Sequence, residues 1–190
     1  MNSDCLFSSE TDLWATPPEV FASIAKRFGP FDLDVCAVAD NAKCERYYSP
    51  EQDGLQQPWR GRCWMNPPYG RGIGQWVRKA WEASVGGATV VCLLPARTDT
   101  RWWHEYIAPY ASKIEFIRGR LRFGGAENGT PFPSVIVLFA PAAQRRCQWC
   151  ERPFVPRRTD SKFCGGACKQ AAYRARRVTA LSVTEGATAV

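Results

Sequence analysis

The sequence has one histidine, His104, in 190 residues. That single imidazole sits within a helical pattern and reads as a structural or surface residue. A hydrolase of the Ser-His-Asp type is therefore excluded. Long apolar runs are also missing. The longest, residues 135–143, contains Pro141 and falls well short of the roughly 20 residues that span a bilayer. The opening stretch MNSDCLFSSETD carries no basic residue ahead of an apolar segment, so no signal peptide is expected and the cytoplasm is the expected location. Acidic excess is absent too: 25 Lys+Arg face 18 Asp+Glu, for a net charge of +7. A pI near 9.1 favours a polyanionic partner. No internal repeat is present. With 45% hydrophobic and 23% charged residues, the chain has the composition of a globular protein.

What is abundant is cysteine, at nine residues. An odd count in a protein without an export signal points to metal ligands or free thiols rather than disulfides. Cys5, Cys36, Cys44, Cys63 and Cys92 are scattered, whereas Cys147, Cys150, Cys164 and Cys168 cluster. Charge divides at the same place. Residues 1–146 carry 17 basic and 15 acidic side chains, and residues 147–190 carry 8 and 3. These shifts predict a larger domain at 1–140, a linker at 141–146, a small module at 147–178 and a flexible tail at 179–190.

Hydrophobic periodicity and breakers predict the elements of the larger domain. Thr16-Pro17-Pro18-Glu19 reads as a capped helix start, with Thr16 as N-cap and Glu19 closing a capping box, and the helix ends before Gly29-Pro30. Strands are expected at 31–36, 62–65, 88–94, 113–118 and 134–139. Helices are expected at 74–84 and 100–110, with a short one around 41–48, and a loop or hairpin at 119–129. Alternation of strand and helix predicts an α/β fold with a mostly parallel sheet. The last two strands have no helix between them and are expected to pair antiparallel, giving one reversed edge strand.

The most informative tetrapeptide is Asn66-Pro67-Pro68-Tyr69, directly after a predicted strand. Two prolines make a rigid turn in any context. At the carboxyl end of a parallel strand, however, such a turn lies where α/β folds place ligands. The chemistry is coherent. An exocyclic amine on a heterocycle is a poor nucleophile, because its lone pair is delocalised into the ring. Two acceptors for its hydrogens, the Asn66 amide oxygen and the Pro67 carbonyl held by Pro68, favour a tetrahedral nitrogen facing an electrophile. Tyr69 offers a ring face on which an extruded base can stack.

These motifs carry a resemblance. Thr16-Pro17-Pro18, Phe31-Asp32-Leu33-Asp34-Val35, Asp53-Gly54-Leu55 and Asn66-Pro67-Pro68-Tyr69 occur in the order seen in phage-type, Dam-like N-6-adenine DNA methyltransferases. The later segments 93–99, 119–123 and 131–134 also look like that family, so the resemblance spans 14–139. It implies S-adenosylmethionine as donor, a reduced Rossmann-like methyltransferase fold and adenine in double-stranded DNA as acceptor. It further implies that Thr16 and Pro17 help enclose the donor, that Asp34 faces it, and that Asp53 and Leu55 line its adenosine side. One departure matters: no glycine-rich turn follows the first strand, where the chain reads Asp34-Val35-Cys36-Ala37-Val38-Ala39. Arg97 and Arg101, after a later strand, are candidates for contact with DNA, as is Arg120 in the 119–123 segment.

Cys147-x2-Cys150 followed by Cys164-x3-Cys168 is the spacing of a closed, structural zinc site built from four cysteines. It resembles small treble-clef-like fingers, with Phe154 and Phe163 as a minimal core. A basic helix follows, and Arg157, Arg158, Lys162, Arg174, Arg176 and Arg177 are candidates for phosphate contacts. The expected protein is thus a monomeric adenine-specific DNA methyltransferase carrying a structural Zn²⁺ finger. Two other readings stand beside it: methylation of a protein glutamine amide, and a non-catalytic DNA-binding protein on a methyltransferase scaffold.

Overall fold

Two prolines start the first helix. Helix α1 (Pro18–Phe28) has Pro18 in its first turn, where no amide hydrogen is required, and is closed by Gly29. The capping box expected from Thr16 and Glu19 does not form. Pro17 is the N-cap and offers no side-chain acceptor, and the Thr16 hydroxyl is engaged by Asn66 instead.

The computed structural model describes residues 15–123, 129–141, 145–154, 156 and 161–185. The chain divides into two compact units, residues 1–141 and 142–190. Unit 1 holds a five-stranded sheet made of β1 (Leu33–Asp34), β2 (Arg62–Met65), β3 (Thr89–Pro95), β4 (Lys113–Phe116) and β5 (Ser134–Phe139), in the order β1-β2-β3-β5-β4. The first three strands are parallel, and β5 pairs antiparallel with both β3 and β4. The α/β fold and the antiparallel pairing of β4 with β5 agree with the sequence reading. The strand that runs against the others is β5, however, and it lies inside the sheet rather than at its edge. Burial explains the order. All of β5 except Leu138 is buried, whereas β4 is half-exposed. A continuous apolar strand gains most between two neighbours, and the charged Lys113 and Glu115 suit an edge. Glu115 also pairs with Arg27 at the end of α1.

Helix α2 (Ile73–Val85) buries Ile73, Val77, Ala80 and Ser84, one stripe at helical spacing, against the sheet. The helix expected at 100–110 is present but wound as a π-helix over Trp103–Ile107 before α3 (Ala108–Tyr110). It buries Trp103 and Ile107 and leaves His104 exposed. None of the described helices is long and apolar enough to cross a membrane.

Residues 35–61 add no strand to the sheet and only a 3-10 turn at Pro50–Gln52. The helix expected near 41–48 is not formed. Its backbone is claimed by the end of β1: Asp34 N–H donates to the Arg46 carbonyl, Tyr48 N–H donates to the Asp34 carbonyl, and Lys43 N–H donates to the Asp34 carboxylate at 3.0 Å. The segment is therefore a loop folded over the strand end.

Unit 2 consists of a short antiparallel pair, β6 (Arg145–Arg146) with β7 (Pro153–Phe154), and helix α4 (Gly166–Glu185). Helix α4 continues through residues 179–185 of the expected tail, and residues 186–190 lie outside the described residues. Residues 178–185 contain neither Gly nor Pro, and Gly186 is the first breaker. Among the described residues of unit 2, only Cys147 and Ala172 are buried, while Phe154 and Phe163 are half-buried. That is too little apolar core to hold a fold of this size by burial alone.

Candidate functional site

Strands β1 and β2 are parallel and in register, with Asp34 opposite Trp64. Their carboxyl ends therefore bring Asp34 and, two residues beyond Trp64, Asn66 to the lining of one cleft. The cleft encloses about 860 Å³ including its open side, and Thr16, Asp34, Asp53, Asn66, Pro67 and Pro68 all line it. Six residues named from the sequence thus converge from separate segments of the chain. Pro17 and Leu55 adjoin the cleft in sequence but are not among its lining residues.

The turn after β1 does without glycine. Asp34 accepts the Cys36 and Lys43 backbone N–H groups through its two carboxylate oxygens, and Asn41 Oδ1 accepts the Val38 N–H at 2.9 Å. Side-chain acceptors supply what a left-handed glycine would supply elsewhere, and no residue from 35 to 47 has a positive φ. Asp34 is 2% exposed. Burial raises its pKa from the usual 3.8 to about 6, against the two backbone N–H groups and the Lys43 charge, which lower it.

Asp53 and Gly54 line the cleft from the Asp53-Gly54-Leu55 turn. Asp53 adopts a left-handed conformation with φ 48°, and its carboxylate accepts the Leu55 N–H. Gly54 is required here by close approach, because a Cβ would lie 2.1 Å from the Val35 carbonyl oxygen. The Gly54 carbonyl accepts the Trp59 indole N–H at 2.8 Å, and Trp59 stacks on Trp76. Lys43, Tyr48, Gly54 and Trp76 all line the cleft and were missed by the sequence reading. Gly54 was legible from the Asp-Gly pair, whereas nothing local marks Lys43 or Trp76, which arrive through the loop and α2.

Asn66 is half-buried, and its amide nitrogen donates to Thr16 Oγ1 at 2.9 Å. Tyr69 lies behind the turn and does not line the cleft. Its ring is 3% exposed and meets Phe123 and Phe132 edge-on. Its hydroxyl donates to the Leu93 carbonyl at 3.2 Å, which ties the Asn-Pro-Pro-Tyr turn to β3. Arg97 is exposed and rests over the Phe132 ring at 5.8 Å. Arg101 is exposed but paired with Glu105 one helical turn away, and Arg120 is exposed.

In unit 2 the four clustered cysteines come together, with all four sulfurs within 4.8 Å of one another. Cys150 and Cys164 are 3.7 Å apart, and Cys164 and Cys168 are 3.5 Å apart. A tetrahedron with Zn–S bonds of about 2.3 Å has an edge of about 3.8 Å, so the spacing fits Zn²⁺. The knuckle is closed by Cys147 N–H to the Arg152 carbonyl and Glu151 N–H to the Cys147 carbonyl. Burial works against ionisation of the Cys147 thiol, yet backbone N–H groups around it bring its pKa down to about 6. Lys162 and Arg174 are exposed. Arg157 and Arg158 lie outside the described residues, as do the side chains of Arg176 and Arg177.

The chain is similar to known proteins. A DNA N-6-adenine-methyltransferase of Haemophilus phage HP1 is 35% identical over 142 residues, covering 71% of this chain and 82% of the phage protein. A DNA N-6-adenine-methyltransferase of Escherichia phage T1 is 41% identical over 96 residues, covering 50% of this chain and 40% of that protein. Among solved structures, an SAM-dependent O-methyltransferase from Thermotoga maritima is similar at 12% identity and a TM-score of 0.45, over 70% of this chain and 69% of that one. The family model for DNA N-6-adenine-methyltransferase (Dam) matches residues 4–157, which takes in the whole sheet and the first cysteine pair. With four-fifths of one relative and every strand of unit 1 inside these matches, the chain belongs to the Dam family of adenine-specific DNA methyltransferases.

Proposed function

We propose that unit 1 methylates the N-6 amine of an adenine flipped out of double-stranded DNA, using S-adenosylmethionine, and that unit 2 is a four-cysteine zinc module that adds DNA affinity. The observation that supports this reading is that Asp34 and Asn66, from the carboxyl ends of two neighbouring parallel strands, line one cleft. When bound, S-adenosylmethionine supplies a methyl group on a positively charged sulfur.

The cleft suits that donor. Asp34 presents a buried carboxylate to hydroxyl or ammonium groups, Asp53 adds a second acceptor beside Leu55, and Trp64, Trp76 and Pro67 give apolar walls for a purine. Thr16 lines the side just before α1, with Pro17 next to it in sequence. At the acceptor end, Asn66 Oδ1 and the Pro67 carbonyl take the two hydrogens of the adenine amine. Pro68 fixes that carbonyl, since a proline restricts the residue before it. No protein base is required, because the methylated ammonium loses its proton to water. Stacking of the flipped base on Tyr69 calls for its ring to be uncovered from Phe132 and Phe123. The exposed Arg97, resting over Phe132, meets a phosphate beside that ring, and the exposed Arg101 and Arg120 meet phosphates of the same duplex. Protein glutamine methylation loses support, because both phage relatives are named for DNA adenine.

Asp34 gives a pH dependence. Its raised pKa means that the protonated form is favoured by folding: that contribution is full below about 3.8 and is lost as pH rises through about 6. The ionised carboxylate that serves the donor is thus present above about pH 6. Donor affinity is expected to fall as pH drops from about 7 to about 5, and Asp34→Asn is expected to bind weakly at every pH without that slope. Calorimetric titration of donor across this range checks both outcomes.

The function itself is tested by offering a donor labelled in its methyl group to the full chain with duplex DNA or with protein. Label in DNA is expected. Label in protein alone would overturn the reading.

A further inference from the structure

We propose that Lys43 receives the carboxylate of the methyl donor, so that Asp34 and Lys43 together hold its amino-acid end, an inference that rests on the cleft binding S-adenosylmethionine. That donor ends in an α-amino acid, which carries an ammonium and a carboxylate on one carbon. Asp34 has the right sign for the ammonium only. A carboxylate brought up beside a buried acidic group needs a cation of its own.

Lys43 meets that need. Among the described residues that line the cleft, it alone carries a positive side chain, while Asp34 and Asp53 carry the negative ones. Its backbone N–H donates to the Asp34 carboxylate at 3.0 Å, which fixes the two residues as neighbours. The approach to Lys43 is fixed as well, because the Asn41 and Ala42 N–H groups both donate to the Val38 carbonyl at 3.0 Å. The Lys43 side chain is half-buried, and its ammonium stands over the Phe21 ring at 5.9 Å. Phe21 in turn meets Trp64, another lining residue, edge-on at 5.3 Å. None of the ion pairs among the described residues uses Lys43. An ammonium has three hydrogens to donate, and a ring face at that distance steadies the charge without accepting one.

The charge pattern also sets the direction of the donor. With its amino-acid end at Asp34 and Lys43, its adenosine turns to Asp53 and Trp76, which line the cleft from the 53–55 turn and from α2.

The test titrates the full chain by calorimetry at pH 8, where Asp34 is ionised, with S-adenosylmethionine and with its decarboxylated form. The decarboxylated form keeps the adenosine, the sulfonium and the ammonium and lacks only the carboxylate. Lys43→Met, which keeps an unbranched stem over Phe21, is expected to weaken S-adenosylmethionine on the order of tenfold or more. The decarboxylated form, with two positive charges and no negative one, should bind this variant at least as tightly as it binds the wild type. Lys43→Gln, checked for a native melting curve, is the second uncharged variant and should behave alike, and Lys43→Arg should keep most of the affinity for S-adenosylmethionine. Equal losses for both ligands in the uncharged variants, or unchanged affinity for S-adenosylmethionine, would overturn the inference. A wild-type chain that binds neither ligand would instead defeat the reading on which the inference rests.

Discussion

Asn66→Ala is expected to lower kcat for methyl transfer to DNA on the order of a hundred- to a thousandfold, the usual cost of losing one preorganised polar group at the reacting centre. Donor binding should be nearly unchanged. Asp34 and Asp53, the acceptors proposed for the donor, belong to β1 and to the 53–55 turn, whereas Asn66 follows β2. Single-turnover transfer, measured beside donor titration, separates the two effects. The fold should tolerate the change, because Asn66 is only half-buried and the turn stays anchored through Tyr69 to the Leu93 carbonyl. An alanine variant with undiminished transfer would remove Asn66 from the reaction.

The second large effect is expected in unit 2. Replacing Cys164 and Cys168 together by serine should unfold this unit and leave the melting of unit 1 unchanged. The two buried residues among those described there, Cys147 and Ala172, are too few to hold it, while structural zinc contributes on the order of 10 kcal/mol to folding in small fingers. The four sulfurs lie close enough together to oppose one another's ionisation. Cys168 is pushed up to about 12, first by its hydrogen bond to Cys164 and then by burial. With the module unfolded, the exposed Lys162, Lys169 and Arg174 lose their fixed arrangement toward DNA. Duplex affinity should weaken about tenfold or more at low salt. The slope of log K against log salt should flatten by roughly 0.9 for each phosphate that these side chains no longer neutralise. Zinc content by elemental analysis should fall from one per chain to none. Unchanged affinity and slope would assign the module some role other than DNA binding.

Local chemistry made much of this legible. Strands β2 and β5 are largely apolar runs, each followed by a breaker or a small residue, and their limits match the reading of the sequence at both ends. The cysteine spacing anticipated the convergence of four sulfurs, because thiols in two close pairs have few other uses. What was not legible depends on tertiary competition. Thr16 is a good N-cap by type, but Asn66 takes its hydroxyl, and no local rule weighs a partner fifty residues away. Residues 41–48 carry helix formers, yet the end of β1 recruits their backbone N–H and carbonyl groups. The position of β5 within the sheet followed from burial on both faces, which a run of Val, Ile, Leu and Phe suggests but does not order. Lys43 and Trp76 reached the cleft only because the loop and α2 fold back toward Asp34.

The most direct test of the central claim is identification of the modified base. Duplex DNA incubated with the purified chain and S-adenosylmethionine, then digested to nucleosides and analysed by mass spectrometry, should contain N-6-methyladenine, and DNA treated with Asn66→Ala should contain essentially none. Methylated cytosine in place of methyladenine, or the same methyladenine content from both proteins, would contradict it.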